Sequence, residues 1–160
     1  MTINAYIDTN IYVYVALNNI RYFEKCKRIL EDASDGKLLA YGSLLVATEI
    51  LGSLSRIDPR IAQEALKAYL SMPVSNLEIT PEVLQLAALI NTVTNIKYDS
   101  IHAAVMILNG VSNIITNDID DWILFKDKYT NLKEVIVQHG FEIKTNEFDV
   151  ITVESYPISV

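Results

Sequence analysis

Four carboxylates in this chain stand in apolar company and could act together. Asp8 is the lone charge in "INAYIDTNIYVYVAL", residues 3–17. Glu49, in "LLVATEILGSL", is the only charge between Lys37 and Arg56. Asp99 opens "YDSIHAAVMI", and Asp118 lies within "NIITNDIDDW". Mg²⁺ and Mn²⁺ take hard oxygen ligands, chiefly carboxylates, and keep several waters. One or two such ions, the second about 4 Å from the first, activate water and stabilise the leaving oxygen in phosphodiester cleavage. Without metal, clustered carboxylates repel one another, and some would hold a proton near neutral pH.

Each Asp also has a simpler reading. Asp8, Asp99 and Asp118 all fall at plausible helix N-caps, where carboxylates are common. Glu49 resists that account because it lies in mid-helix. A polar stripe with Thr48, Gly52 and Ser53 would expose it to solvent. Yet no Lys or Arg lies within about a helical turn of it, and an unpaired buried carboxylate is costly. A cation supplied from outside would meet that need. No Cys or Lys candidate accompanies these acids, and the only histidine near them is His102.

The elements that must position the acids follow from periodicity and punctuation. Ile3–Ile7 alternates and is β-branched, so it predicts a strand, with a helix over residues 11–17. Residues 21–34 carry Phe23, Cys26, Ile29, Leu30 and Ala33 at helical spacing. Residues 38–41 predict a second strand. Ser43 caps a helix to about Arg56, and Asp58-Pro59 starts another that ends before Pro73. Residues 77–79 predict a third strand, then Thr80-Pro81-Glu82 opens a helix to Thr94. Tyr98-Asp99-Ser100 begins a helix that Gly110 stops, and Asn113–Thr116 is a fourth strand. A helix or turn is expected near Trp122, a last short helix over residues 131–138, and two terminal strands at 141–144 and 150–153, forming a hairpin across 146–149. Strands alternating with helices predict an α/β fold with a central parallel sheet flanked by helices. Ligands of such sheets bind beyond the carboxyl ends of the strands, which is where Asp8 and Asp118 fall.

Composition narrows the class. A chain of 160 residues with 51% apolar content is expected to form one domain, with its core over about 1–140. No apolar run is long enough for a membrane span, and no basic segment with a small-residue cleavage site opens the chain, so a cytoplasmic protein is expected. The single Cys26 excludes an internal disulfide and any Cys-based metal cluster, and it reads as a half-buried helical thiol. With 13 Lys and Arg against 20 Asp and Glu, the formal net charge of −7 argues against generic electrostatic binding of nucleic acid. It does not exclude clustered acids that hold divalent cations, since bound ions reverse the local sign.

"YIDTNIYVY", the Glu of "LLVATEILGSL", "YDSIHAAVMI" and "IITNDIDDW" come in one order and span Tyr6 to Trp122. In these pieces the chain resembles the PIN-domain ribonucleases, particularly the VapC-like toxins of prokaryotic toxin–antitoxin pairs. The resemblance implies a PIN-like fold in which Asp8, Glu49, Asp99 and Asp118 form an acidic pocket for one or two Mg²⁺ or Mn²⁺ ions. It implies that Thr9 or Asn10, and Thr116 with Asn117, shape that pocket through hydroxyl and amide contacts. The family's last motif has Asp, any residue, Asp, then an aromatic. "DIDDW" adds an acid, so Asp120 or Asp121 could be the auxiliary ligand; Asp121 is preferred because it lies about one helical turn beyond Asp118. The resemblance further implies hydrolysis of RNA (tRNA, rRNA or mRNA), an inhibitory antitoxin that inserts into the acidic groove, and a homodimer. The tail over residues 141–160 is longer than a compact toxin needs and reads as added edge strands or a partner surface.

The alternatives are a silent PIN-like module that binds RNA or a partner without cleaving, or an rRNA-processing nuclease. Haloacid-dehalogenase phosphatases place Asp-x-Asp after the first strand, and Asn10 breaks that pattern. Receiver domains need a late Lys after a strand, and none is convincingly placed. His102 shares a helix face with Asp99 and reads as packing or a hydrogen bond behind the site rather than a phosphate contact. His139 reads as a helix C-terminal residue. Tyr6, Tyr12 and Tyr14 read as core or dimer-interface residues rather than base-stacking ones. Lys25, Lys27 and Arg28 read as a solvated helix face.

Overall fold

β1 (Ile3–Ile7) is the middle strand of the sheet, and its Ala5, Tyr6 and Ile7 are fully buried. A strand buried on both faces reads as a continuous apolar run, which suits an all-parallel sheet covered by helices. The computed structural model describes residues 2–156. In it α1 (Thr9–Ala16) and α2 (Phe23–Ser34) lead to β2 (Leu38–Ser43). Then α3 (Leu44–Ser55) and α4 (Pro59–Ser71) lead to β3 (Ser75–Leu77). α5 (Pro81–Thr94) and α6 (Asp99–Asn109) precede β4 (Asn113–Thr116), and α7 (Ile119–Gln138) precedes β5 (Asp149–Thr152). The strand order is β3-β2-β1-β4-β5, and each neighbouring pair is parallel. The expected α/β architecture, a central parallel sheet flanked by helices, is the one observed.

The β1–β4 pairing matters most for function. Tyr6 lies opposite Ile114 and Ile7 opposite Ile115. The next residues out, Asp8 and Thr116, therefore emerge side by side at the carboxyl ends of adjacent strands. The Asp8 N–H continues the ladder onto the Ile115 carbonyl at 3.0 Å.

Three expectations need correction. The third strand begins two residues earlier than predicted, because it pairs in register with Tyr41–Ser43 of β2. The separation into a turn near Trp122 and a short helix over 131–138 does not hold, since α7 is continuous from Ile119 to Gln138. Trp122, Phe125, Tyr129, Leu132 and Ile136 form its buried stripe at alternating three- and four-residue spacing. The polar run "KDKYTN" hides this stripe in sequence. The terminal hairpin does not form either. Residues 141–144 are not a strand, and β5 pairs parallel to β4, from Asn113 opposite Asp149 to Thr116 opposite Thr152. Parallel neighbours need a crossover, and α7 is that crossover.

The extension expected over 141–160 is thus partly an edge strand; residues 157–160 lie outside the described residues. Phe148 locks the extension to α7. It stacks on Trp122 (centroids 5.8 Å apart, planes at 11°) and meets Phe125 edge-on at 4.7 Å. The Tyr129 hydroxyl donates to the Thr145 carbonyl at 2.7 Å. Further on, the Tyr156 hydroxyl donates to Asp32 of α2 at 2.6 Å, and Lys25 pairs with Glu154 at the surface, while Lys25, Lys27 and Arg28 stay exposed as expected. Cys26, expected half-buried, is fully buried, and burial pushes its thiol up to about 11. No helix among the described residues is long and apolar enough to cross a membrane.

Replacing Phe148 removes aromatic contacts to three side chains at once. Phe148→Ala is expected to lower stability by about 3–5 kcal/mol, read as a fall in the urea midpoint. An unchanged midpoint would show that the C-terminal segment does not depend on this cluster.

Candidate metal centre

Asp8 is 5% exposed, and its carboxylate is held by four donors. Oδ1 accepts from the Thr9 N–H at 2.8 Å, which is the capping bond expected at the start of α1. Oδ2 accepts from the Thr116 hydroxyl at 2.8 Å, the Trp122 indole N–H at 3.2 Å and, more weakly, the Asn10 amide at 3.4 Å. Capping therefore occupies one oxygen, while three side chains fix the other. Trp122 was missed as a partner of Asp8; its one-turn spacing from Asp118, at the same end of α7, was the available signal.

The four supporting side chains all engage. Thr116 Oγ1 accepts from the Asp118 N–H at 2.9 Å while donating to Asp8. Asn10 Oδ1 accepts from the Asn117 N–H at 3.2 Å, and the Asn117 amide donates to the Tyr14 hydroxyl at 3.0 Å. These bonds tie α1 to the β4–α7 turn. The Thr9 hydroxyl turns away from Asp8 and donates to Glu49 Oε1 at 3.0 Å.

Asp99 is where the other acids meet. Ligand atoms of Asp8, Asp99 and His102 lie within 4.8 Å of one another, and so do those of Asp99, Asp118 and Asp121. Asp99 does not cap α6, since Tyr98 holds the N-cap position. Burial, and next the Asp8 charge, push its carboxyl up to about 8, with Asp118 and Asp121 adding to the rise and His102 opposing it. Asp118 occupies the N-cap position of α7, and its side chain makes no capping hydrogen bond of normal geometry. Its pKa is raised too, by burial first and then by Asp121 and Asp8. Asp121 joins this group, whereas Asp120 is exposed and outside both groups.

Glu49 is placed differently. It falls outside both three-residue groups, and its side chain is 32% exposed. Its Oε1 accepts from His102 Nε2 at 2.5 Å as well as from Thr9. No Lys or Arg lies within a helical turn of this carboxylate, and the partner it finds is His102 of α6, 53 residues away. His102 is 1% exposed, and its Nδ1 lies 2.6 Å from the Tyr6 hydroxyl. The expected hydrogen bond behind the site is therefore present. Tyr6 went unrecognised as its anchor, although a residue two before Asp8 on one strand shares its sheet face.

Among the described residues, no Lys or Arg forms an ion pair with Asp8, Glu49, Asp99, Asp118 or Asp121. The donor set is hard carboxylate oxygen, partly exposed at Asp118 and closely spaced at Asp99. That chemistry fits a small divalent cation with retained waters.

Comparisons with known proteins agree with this architecture. A family model described as the PIN domain matches residues 5–129. No curated protein sequence matches. Among solved structures, VapBC2 from Rickettsia felis, bound to a DNA fragment from its promoter, is similar with a TM-score of 0.60 at 16% identity, over 95% of this chain and 98% of that one. Mycobacterium tuberculosis VapC20, a sarcin–ricin loop cleaving toxin, gives 0.60 at 20% identity over 74% and 92%. A toxin–antitoxin complex from Klebsiella pneumoniae gives 0.54 at 18% identity over 74% and 89%. With the family match covering most of its length and all the acids of the cluster, the chain belongs to the PIN domain family.

Proposed function

We propose that this chain is a divalent-metal-dependent endoribonuclease that hydrolyses RNA phosphodiester bonds, and that it is the toxin of a type II toxin–antitoxin pair. The observation that carries the proposal is Asp99, shared by two groups of potential ligands that, among the described residues, have no Lys or Arg ion-pair partner. Asp8, Asp99, Asp118 and Asp121 would hold one or two Mg²⁺ or Mn²⁺ ions, with Glu49 contributing through Oε2, the oxygen not engaged by Thr9 or His102. When bound, such ions supply the positive charge that makes water nucleophilic and stabilises the leaving oxygen. Asp8 is oriented by its four donors before any ligand arrives, so its carboxylate need not reorganise. The Asp99 carboxyl, which keeps a proton near neutral pH, gives it up on loading. Asn10, Thr116 and Asn117 keep the β4–α7 turn, and with it Asp118, at a fixed distance from Asp8.

Support for the toxin role comes from the fold neighbours, which include a sarcin–ricin loop cleaving toxin and a toxin–antitoxin complex. The net charge of −7 suits a basic inhibitory segment entering the acidic groove. The same proposal makes the protein cytoplasmic and homodimeric, with RNA as substrate.

Incubation with a mixed pool of tRNA, rRNA and mRNA plus Mg²⁺ or Mn²⁺ tests the activity. Cleavage is expected to vanish with chelator and to fall at least about 100-fold in Asp8→Asn. Asp120→Asn should cleave like the parent, and Asp121→Asn should be impaired. Undiminished cleavage by Asp8→Asn would overturn the metal-site assignment.

The raised acids also predict a pH dependence in the metal-free protein. The folded state keeps the Asp99 proton up to about 8, whereas the unfolded chain loses it near 3.8. The unfolded state thus binds fewer protons in that window, and stability falls as pH rises through it. Asp118 and His102, both raised, act in the same direction. With chelator, the Tm should drop by on the order of 5 °C between about pH 5.5 and about pH 8.5. Asp99→Asn should flatten that slope, and Mg²⁺ should restore the Tm at the higher pH. An equally steep slope in Asp99→Asn would show that the cluster is not its origin.

A further inference from the structure

Behind Glu49 runs a buried series of polar side chains that metal ligation does not use. Ser43 Oγ lies 2.8 Å from the Tyr6 hydroxyl, Tyr6 lies 2.6 Å from His102 Nδ1, and His102 Nε2 lies 2.5 Å from Glu49 Oε1. Three elements supply the series before it reaches α3: Tyr6 from β1, Ser43 from the end of β2, and His102 from α6. Ser43, Tyr6 and His102 are all within 1% of complete burial.

We infer that Tyr6 and His102 are positioning residues that hold Glu49 by one oxygen and leave its other oxygen to face the metal centre. This rests on the metal-dependent reading of the acidic cluster. An ionised carboxylate can only accept, so His102 Nε2–H is the donor. In the neutral ring, Nδ1 then accepts from Tyr6, whose own oxygen accepts from Ser43. In the charged ring, Nδ1–H donates to Tyr6, which donates to Ser43. The Tyr6 hydroxyl can play either part, so Nε2–H stays on Glu49 in both forms. The ring is also fixed by packing, its centroid 5.3 Å from that of Tyr6 with planes at 63°. A buried imidazole that lost its Nδ1 partner would be driven to reorient, and Glu49 would then be held by Thr9 alone.

His102 also has a ring nitrogen within 4.8 Å of Asp8 and Asp99 atoms, so direct ligation is the competing role. Both ring nitrogens are engaged against that role: Nε2–H donates to Glu49 and has no lone pair to offer, and Nδ1 is taken up by the Tyr6 hydroxyl.

Calorimetric titration with Mn²⁺ tests the assignment without depending on cleavage. His102→Ala should weaken Mn²⁺ binding about 10- to 100-fold. His102→Gln, whose terminal amide can take the place of Nε2–H, should recover affinity to within about 3-fold of the parent. Tyr6→Phe keeps the ring and its packing and removes only the hydroxyl; it should weaken binding several-fold, and it carries the test if His102→Ala does not fold. Pulsed electron paramagnetic resonance of the Mn²⁺-loaded parent should show no coupling to a histidine nitrogen. Such a coupling, lost in His102→Gln, would make His102 a ligand and overturn the inference. Parent-like binding by both His102→Ala and Tyr6→Phe would overturn it as well. In that case loss of binding in Asp8→Asn would show that the metal-site reading survives. A parent that binds no Mn²⁺ would bring down both.

Discussion

The site depends on one register, that of β1 against β4. Because Ile7 lies opposite Ile115, Asp8 and Thr116 leave the sheet side by side, and a 2.8 Å hydrogen bond joins them. A slip of one residue would turn Asp8 to the opposite face. Thr116 then receives the Asp118 N–H, so the same hydroxyl locates two acids more than a hundred residues apart. The register is in turn enforced by burial: Tyr6, Ile7, Ile114 and Ile115 are fully enclosed. Hydrophobic packing of the central strands thus sets the spacing of the charges at their ends.

Bringing acids together costs stability, and the fold meets that cost unevenly. Asp8 receives donors on both oxygens, Glu49 receives a histidine and a threonine, and Asp99 instead keeps its proton. Asp118 lies at the surface with its carboxylate only partly covered, so solvent screens it in part. The best-satisfied carboxylate is the most buried, and the least satisfied ones face the open side. A cation entering from solvent would meet exposed Asp118 first and the fixed carboxylate of Asp8 last.

Much of this was legible from local signals. The lone charge in residues 3–17, the Pro-preceding caps at Asp58 and Thr80, and Gly110 after α6 mark element boundaries that the structure reproduces closely. The acids at strand ends and helix starts followed from the same boundaries. What stayed hidden was non-local. The His102–Glu49 contact joins helices far apart in sequence, and Tyr6 looked like an ordinary core residue because its ring packs as one. The C-terminal strands were misread for a related reason. Alternation identifies a strand but not its partner, so short strands near the terminus suggested a hairpin, whereas a continuous α7 carries the chain over to a parallel pairing.

α7 joins the acidic cluster to the C-terminal strand. Its first turn carries Asp118 and Asp121 at the mouth of the site, and Trp122 donates inward to Asp8. The other face of the same Trp122 stacks with Phe148, and further along the helix Phe125 and Tyr129 complete the cluster that seats β5. An indole suits this position because it combines a large apolar body with one N–H donor; phenylalanine would lose the bond to Asp8 and fill less of the space. The C-terminal extension is therefore not an appendage to the site. By packing against Trp122 it limits the freedom of a side chain that fixes the deepest carboxylate, so edge-strand packing and carboxylate geometry are parts of one contiguous structure.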